Sequence, residues 1–199
     1  MPNDREHEEL RDRLSLIENM IAEGRRTTQH WAWTFLLWGF VYYAALAWSA
    51  WRPSPWAWPV TVFVGVVATI LIASSRTSDQ PRTSLGRAIV SIWIALAVSM
   101  CALFPALGFS GRLDSHVFLS AVSAILAMGN GASGLILRWR VQLACAIVWW
   151  ATAVAACFGS DTQSTIVFLV AVFLCQIVFG IYGMVAEANV RKYRPAVHA

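Results

Sequence analysis

Six apolar runs separated by short polar connections leave this chain few ways to fold. They are Trp31 to Trp51, Trp56 to Ala73, Leu85 to Leu107, His116 to Leu137, Val141 to Phe158 and Thr165 to Ala186, each 18 to 23 residues long. As helix, at about 1.5 Å per residue, they reach roughly 27 to 35 Å, and a bilayer's hydrocarbon core is about 30 Å thick. In lipid every backbone polar group has to be bonded within the protein, so runs of this length cross as helices. They predict an all-α bundle of six transmembrane helices. Composition agrees, with 58% hydrophobic and 13% charged residues, against about 25% charged in a soluble domain. A net charge of +4 would suggest nucleic acid in a soluble chain. Here the charges lie between the apolar runs, where they report topology, and no nucleic-acid partner is expected.

The cations fall on alternate connections. Arg5, Arg11, Arg13, Arg25 and Arg26 precede the first run, Arg76, Arg82 and Arg87 the third, and Arg138 and Arg140 the fifth; Arg191, Lys192 and Arg194 follow the sixth. Those thirteen share one side, leaving Arg52 and Arg112 on the other, which predicts cytoplasmic termini and a multi-pass protein of the cytoplasmic membrane. Trp48, Trp51, Trp56 and Trp58 cluster at the outer interface and Trp31, Trp33 and Trp139 at the inner one, as rings that sit at headgroup level do. The first run begins only at Trp31 and is long enough to span, so it is expected to act as an uncleaved signal anchor. The organisation expected is a cytoplasmic amphipathic helix over 1–30, the bundle over 31–187 and a basic tail over 188–199.

In the N-terminal segment Leu10, Leu14, Ile17 and Ile21 recur at spacings of four, three and four, one stripe of a helix. It can seat on the bundle, lie in the membrane interface or pair with another subunit; seven acidic residues against five arginines argue against adhesion to anionic lipid. The fourth connection, Arg138-Trp139-Arg140, has neither Gly nor Pro, while Gly129, Gly131 and Gly134 precede it. Turning at the glycines would cut the fourth span to about 15 residues and bury two arginines at roughly 2.5 to 3.5 kcal/mol each. The turn is therefore expected at Arg138.

Catalytic chemistry finds little to work with. Gly131-Ala132-Ser133-Gly134 resembles the G-x-S-G motif of rhomboid intramembrane proteases, whose serine pairs with a histidine on the sixth helix. Thr165 to Ala186 holds no His, and His116 starts the fourth run at the opposite face, so Ser133 has no base to activate it. No run carries Asp, Glu, Lys or Arg near its middle, and His7, His30, His116 and His198 are scattered outside the membrane interior. No enzyme, metal or cofactor is expected. Cys101, Cys145, Cys157 and Cys175 lie in apolar runs without metal-ligand spacing and read as packing residues, with a Cys101–Cys157 disulfide the one pairing that shared depth allows.

What remains is a neutral polar layer. Counted from the cytoplasmic end of each helix, Asn130, Trp149 and Trp93 lie about 12 Å deep and Gln176 and Tyr42 about 16 Å. These five can line a cavity, aromatic faces taking an apolar ligand and Asn130 or Gln176 fixing one polar group, with the two amides facing each other. Asn130 and Gln176 can equally bond neighbouring helices as packing glue, worth roughly 0.6 kcal/mol each. The small residues around Asn130, and Gly180 and Gly183, suit close helix contact within one chain or in a homo-oligomer. At the cytoplasmic rim Arg87, Arg138, Arg140 and Glu187 end helices together, suited to a salt bridge closing the bundle or to a phosphate headgroup.

Ile17 to Gln29, IENMIAEGRRTTQ, followed by Leu37-Trp38-Gly39, resembles the opening of a group of small uncharacterised bacterial inner-membrane proteins. That resemblance implies an amphipathic cytoplasmic helix before a multi-helix bundle, and no activity. The tryptophan content is similar to that of the tryptophan-rich sensory proteins, which have five spans, and six spans in about 200 residues are similar to the substrate-binding subunits of vitamin-uptake transporters. The function expected is non-enzymatic: binding or passing a small, mostly apolar molecule. The alternative is a membrane-anchored regulatory subunit that docks a cytoplasmic or membrane partner.

Overall fold

The computed structural model describes residues 2–52, 54–75 and 84–192. Pro53, Arg76, Arg82, Arg194 and His198 lie outside the described residues, as do the side chains of Arg5, Arg191 and Lys192. Every regular element among the described residues is a helix: α1 Pro2–His30, α2 Ala32–Trp51, α3 Ala57–Ser75, α4 Ser84–Phe109, α5 Ser115–Ile136, α6 Arg140–Phe158, and α7 Asp161–Val172 running through a π-helical stretch, Phe173–Val178, into α8 Phe179–Lys192. Five segments are long and apolar enough to cross a membrane: Ala57–Ser75, Leu85–Phe109, Ser115–Ile136, Arg140–Phe158 and Asp161–Asn189. α2 is 20 residues long, but Trp33, Trp38, Tyr42, Tyr43, Trp48 and Trp51 lower its hydropathy, because indole and phenol rings carry a polar atom. Phe63, Ile70, Leu71, Ile94, Val98, Ile147, Val154, Ile166 and Val170 are each more than half exposed. An apolar surface of this kind belongs against lipid rather than water.

α5 is the axis of the bundle. Its most apolar window is 56% buried, against 11% in both α3 and α4. α6 packs on α5 most extensively of all the helix pairs, and Gly134 is the reason: a Cβ there would stand 2.9 Å from the backbone nitrogen of Leu143, so only glycine lets the backbones come this close. Gly180 does the same for α8 and α2, where a Cβ would meet Leu36 N at 3.1 Å and Ala32 O at 3.3 Å.

The chain leaves α5 at the expected place. Leu137 N bonds Ser133 O, Arg138 N bonds Leu135 O and Trp139 N bonds Gly134 O at 2.8 Å, with Arg138 at φ 48°. Nested bonds of this kind around a left-handed residue form a Schellman motif, whose left-handed position usually holds glycine. Arg25 of α1 completes the turn: its Nε donates to Leu137 O at 2.8 Å and its Nη2 to Arg138 O at 2.7 Å.

That contact docks α1, and only through its last turns. Gly24 and Thr28 are buried, Gly24 fits beneath Leu137 and Leu85, and His30 Nδ1 donates to Glu187 Oε1 of α8 at 3.0 Å. Upstream, Leu10, Leu14 and Ile17 are 52%, 60% and 51% exposed. Of the three placements, α1 seats on the bundle at its end alone: docking uses a small residue and an arginine there, and Leu10, Leu14 and Ile17 stand exposed.

At the opposite end Asp114 caps α5 through Val117 N, and a Ser160–Gln163 capping box starts α7. Ser115 Oγ donates to Asp161 Oδ1 at 2.5 Å, His116 Nε2 stands 3.1 Å from that carboxylate oxygen, and His116 Nδ1 donates to Ala156 O at 2.9 Å. Side chains of α5 thus clasp the end of α6 and the start of α7. All four cysteines are free, Cys101 and Cys157 exposed and Cys145 and Cys175 buried. The Cys101–Cys157 disulfide is not formed.

Candidate functional site

A buried side-chain polar atom without a partner costs about 1 to 3 kcal/mol, so such atoms are rare where packing alone decides. Here they gather on the central helices: Ser123 Oγ, Asn130 Oδ1 and Ser133 Oγ on α5, both amide atoms of Gln142 and Trp149 Nε1 on α6, and Gln176 Oε1 in the π-helical stretch. The residues that carry them are 0 to 3% exposed.

Counted from the Arg138 turn at about 1.5 Å per residue, they form a ladder rather than a layer. Gln142 and Ser133 stand on the first rungs, where α6 crosses Gly134 and the Gln142 carbonyl carbon lies 3.3 Å from where a Cβ on that glycine would be. Asn130 is about one turn further in, Trp149 near mid-helix and Ser123 beyond it. Gln176 lies on the π-helical stretch, which packs on α2 and α6 and whose i→i+5 bonding inserts one residue per turn and turns the following side chains relative to an α-helix. Next to it Cys175 Sγ reaches Cys145 O at 3.6 Å, and Gly39 of α2 leaves room beside Gln176 Cβ, to which a Cβ on that glycine would stand at 3.1 Å.

Of the five residues expected to line a site, Trp149 and Tyr42 are brought together through Phe168, at ring-centroid distances of 5.7 and 6.0 Å. Trp93 sits apart: it meets Phe35 edge-on at 5.7 Å and packs over Gly129. Asn130 Nδ2 donates to Leu126 O of its own helix at 2.9 Å, and no hydrogen bond joins it to Gln176, so the expected facing pair of amides is not formed. Gln142, Ser123 and Ser133 were not among the expected residues. Gln142 follows Arg140 by two positions and is fully buried.

At the rim Glu187 pairs with His30, while Arg87, Arg138 and Arg140 are exposed and lie outside that pair. The arginine that closes this end is Arg25, and Arg138 takes part through its carbonyl. Ser133 Oγ is buried without a hydrogen-bond partner among the described residues. Among the described residues no group of three or more His, Cys, Asp or Glu is placed to hold a metal ion. No protein-family model, curated protein or solved structure matches the chain.

Proposed function

We propose that this chain is a six-span protein of the bacterial inner membrane, with both termini in the cytoplasm, that binds or passes a small, mostly apolar molecule along the ladder between α5, α6 and the π-helical stretch. The observation that carries the reading is the set of unpartnered polar atoms on Asn130, Ser133, Gln142, Trp149 and Gln176. Helix-to-helix glue would have used those atoms on neighbouring helices. Instead Asn130 bonds its own helix, and donors and acceptors are left over for a guest that brings one or two polar groups. The Tyr42–Phe168–Trp149 rings supply the apolar wall that such a guest requires. Neutral side chains suit a neutral guest, since a charged one would need a paired charge at this depth.

The six-span count adds α2 to the five apolar segments. Aromatic residues throughout α2 and the thirteen-to-two distribution of cations favour that count.

Native mass spectrometry of the full-length protein, released gently from its own membranes, tests the reading. A discrete small-molecule adduct is expected on the wild type and is expected to be lost from Gln142→Met and Asn130→Leu at unchanged folding. A wild type without any adduct beyond lipid, with both variants unfolded, would show that the ladder is structural.

A further inference from the structure

The stripe that α1 leaves uncovered has the pattern of a coiled-coil seam. Setting His7 and Leu14 at the a positions places Leu10 and Ile17 at d and Ile21 at the next a, and the seam is only as wide as a and d, narrower than the face a globular core or a membrane interface needs. Leu10, Leu14 and Ile17 are more than half exposed, while the same stripe continues into the docked Gly24 and Thr28. The helix is thus held at one end by Arg25 and His30 and carries its free end past the bundle.

Charges beside the seam select the occupant. In this register Glu6 and Arg13 fall at g and Arg11 and Glu18 at e. In a parallel pair each g residue meets the e residue five positions on in the partner, which opposes Glu6 to Arg11 and Arg13 to Glu18, unlike charges each time. Turning one helix round keeps only the Arg11–Glu18 match. Arg13 is bonded to Glu9 at 2.6 Å, an exposed pair four residues apart that holds it only weakly. A lipid surface is the poorer match: residues 2–30 contain no Lys and no aromatic residue, and acidic residues outnumber arginines.

We propose that the free end of α1 pairs in parallel with α1 of a second copy of this chain, forming a short two-stranded coiled coil beyond the end of the bundle. Two heptads are marginal as free peptides. Anchoring both helices in one membrane raises their effective concentration and shifts the balance toward pairing.

Cross-linking of the full chain in native membranes tests this, with the exposed Cys101 and Cys157 replaced by serine. Leu10→Cys and Ile17→Cys, at d, are expected to give disulfide-linked dimers under mild oxidation, and Leu16→Cys, exposed but off the seam, is not. Glu18→Arg should lower cross-linking at position 10 several-fold, and adding Arg13→Glu should restore it, a rescue that misfolding would not produce. Equal cross-linking at positions 16 and 17, no dimer at 10 or 17, or a cysteine at 17 that stays unlinked and shielded by lipid from a water-soluble maleimide would each overturn the proposal.

Discussion

Arg138 shows how one residue can carry a conformation that its type disfavours. A side chain in the left-handed region costs about 1 to 2 kcal/mol, and Arg138 adopts φ 48° at the turn between α5 and α6. Arg25 offsets that cost from another helix through two bonds to the turn's carbonyls. Arg138→Gly is therefore expected to stabilise the purified bundle by about 1 kcal/mol, while Arg138→Ala, which keeps the Cβ, gives no such gain. Arg25→Met should destabilise it by about 1.5 to 3 kcal/mol, the worth of hydrogen bonds from a charged donor. Thermal unfolding in detergent checks both signs. The position of the turn was legible in the sequence from the cost of burying two arginines. Its geometry was not, because the partner that completes it lies more than a hundred residues away. Gln142 was missed for a related reason: nothing local sets it apart at the start of the fifth run, and the close crossing at Gly134 beside which it is buried is a contact between helices.

Between residue and molecule the elements divide by what local sequence can encode. The six apolar runs appear as helices, with α5 and α6 within a few residues of the expected bounds. The last run is a helix with a π-helical stretch at Phe173–Val178, invisible to hydropathy because one inserted residue changes no apolar content. α1 was legible as an amphipathic helix, but its division into a docked end and a free end was not, since that depends on where Leu137 and Leu85 lie in space. The clasp at the end away from the Arg138 turn belongs to this scale too, joining three helix ends through Ser115, His116 and Asp161. Asp161→Asn weakens two of its contacts, so amide hydrogen exchange at residues 159–164 should quicken while the α5–α6 interior keeps its protection. Unchanged exchange in that turn would show that the capping box alone holds it.

For the whole molecule, the charge asymmetry makes a prediction that hydropathy alone does not. With six spans, Ser110 and Ser160 lie outside the cell and Ser15 inside. With α2 off the membrane, Ser15 and Ser110 would share a side. In a chain lacking Cys101 and Cys157, cysteines at positions 110 and 160 should react with an impermeant maleimide on intact cells, and one at position 15 only after permeabilisation. Labelling of 15 and 110 together would contradict six spans.

If the buried polar ladder is kept for a guest and not for holding the helices together, the empty bundle does not lose stability when its members are replaced by apolar residues. Thermal unfolding of the delipidated, ligand-free protein should show Asn130→Leu, Gln142→Met and Gln176→Leu each as stable as the wild type or more so, by up to about 1 to 3 kcal/mol, because each removes at least one buried polar atom with no partner. A fall in stability for all three would mean that these side chains hold the helices together and are not kept for a guest.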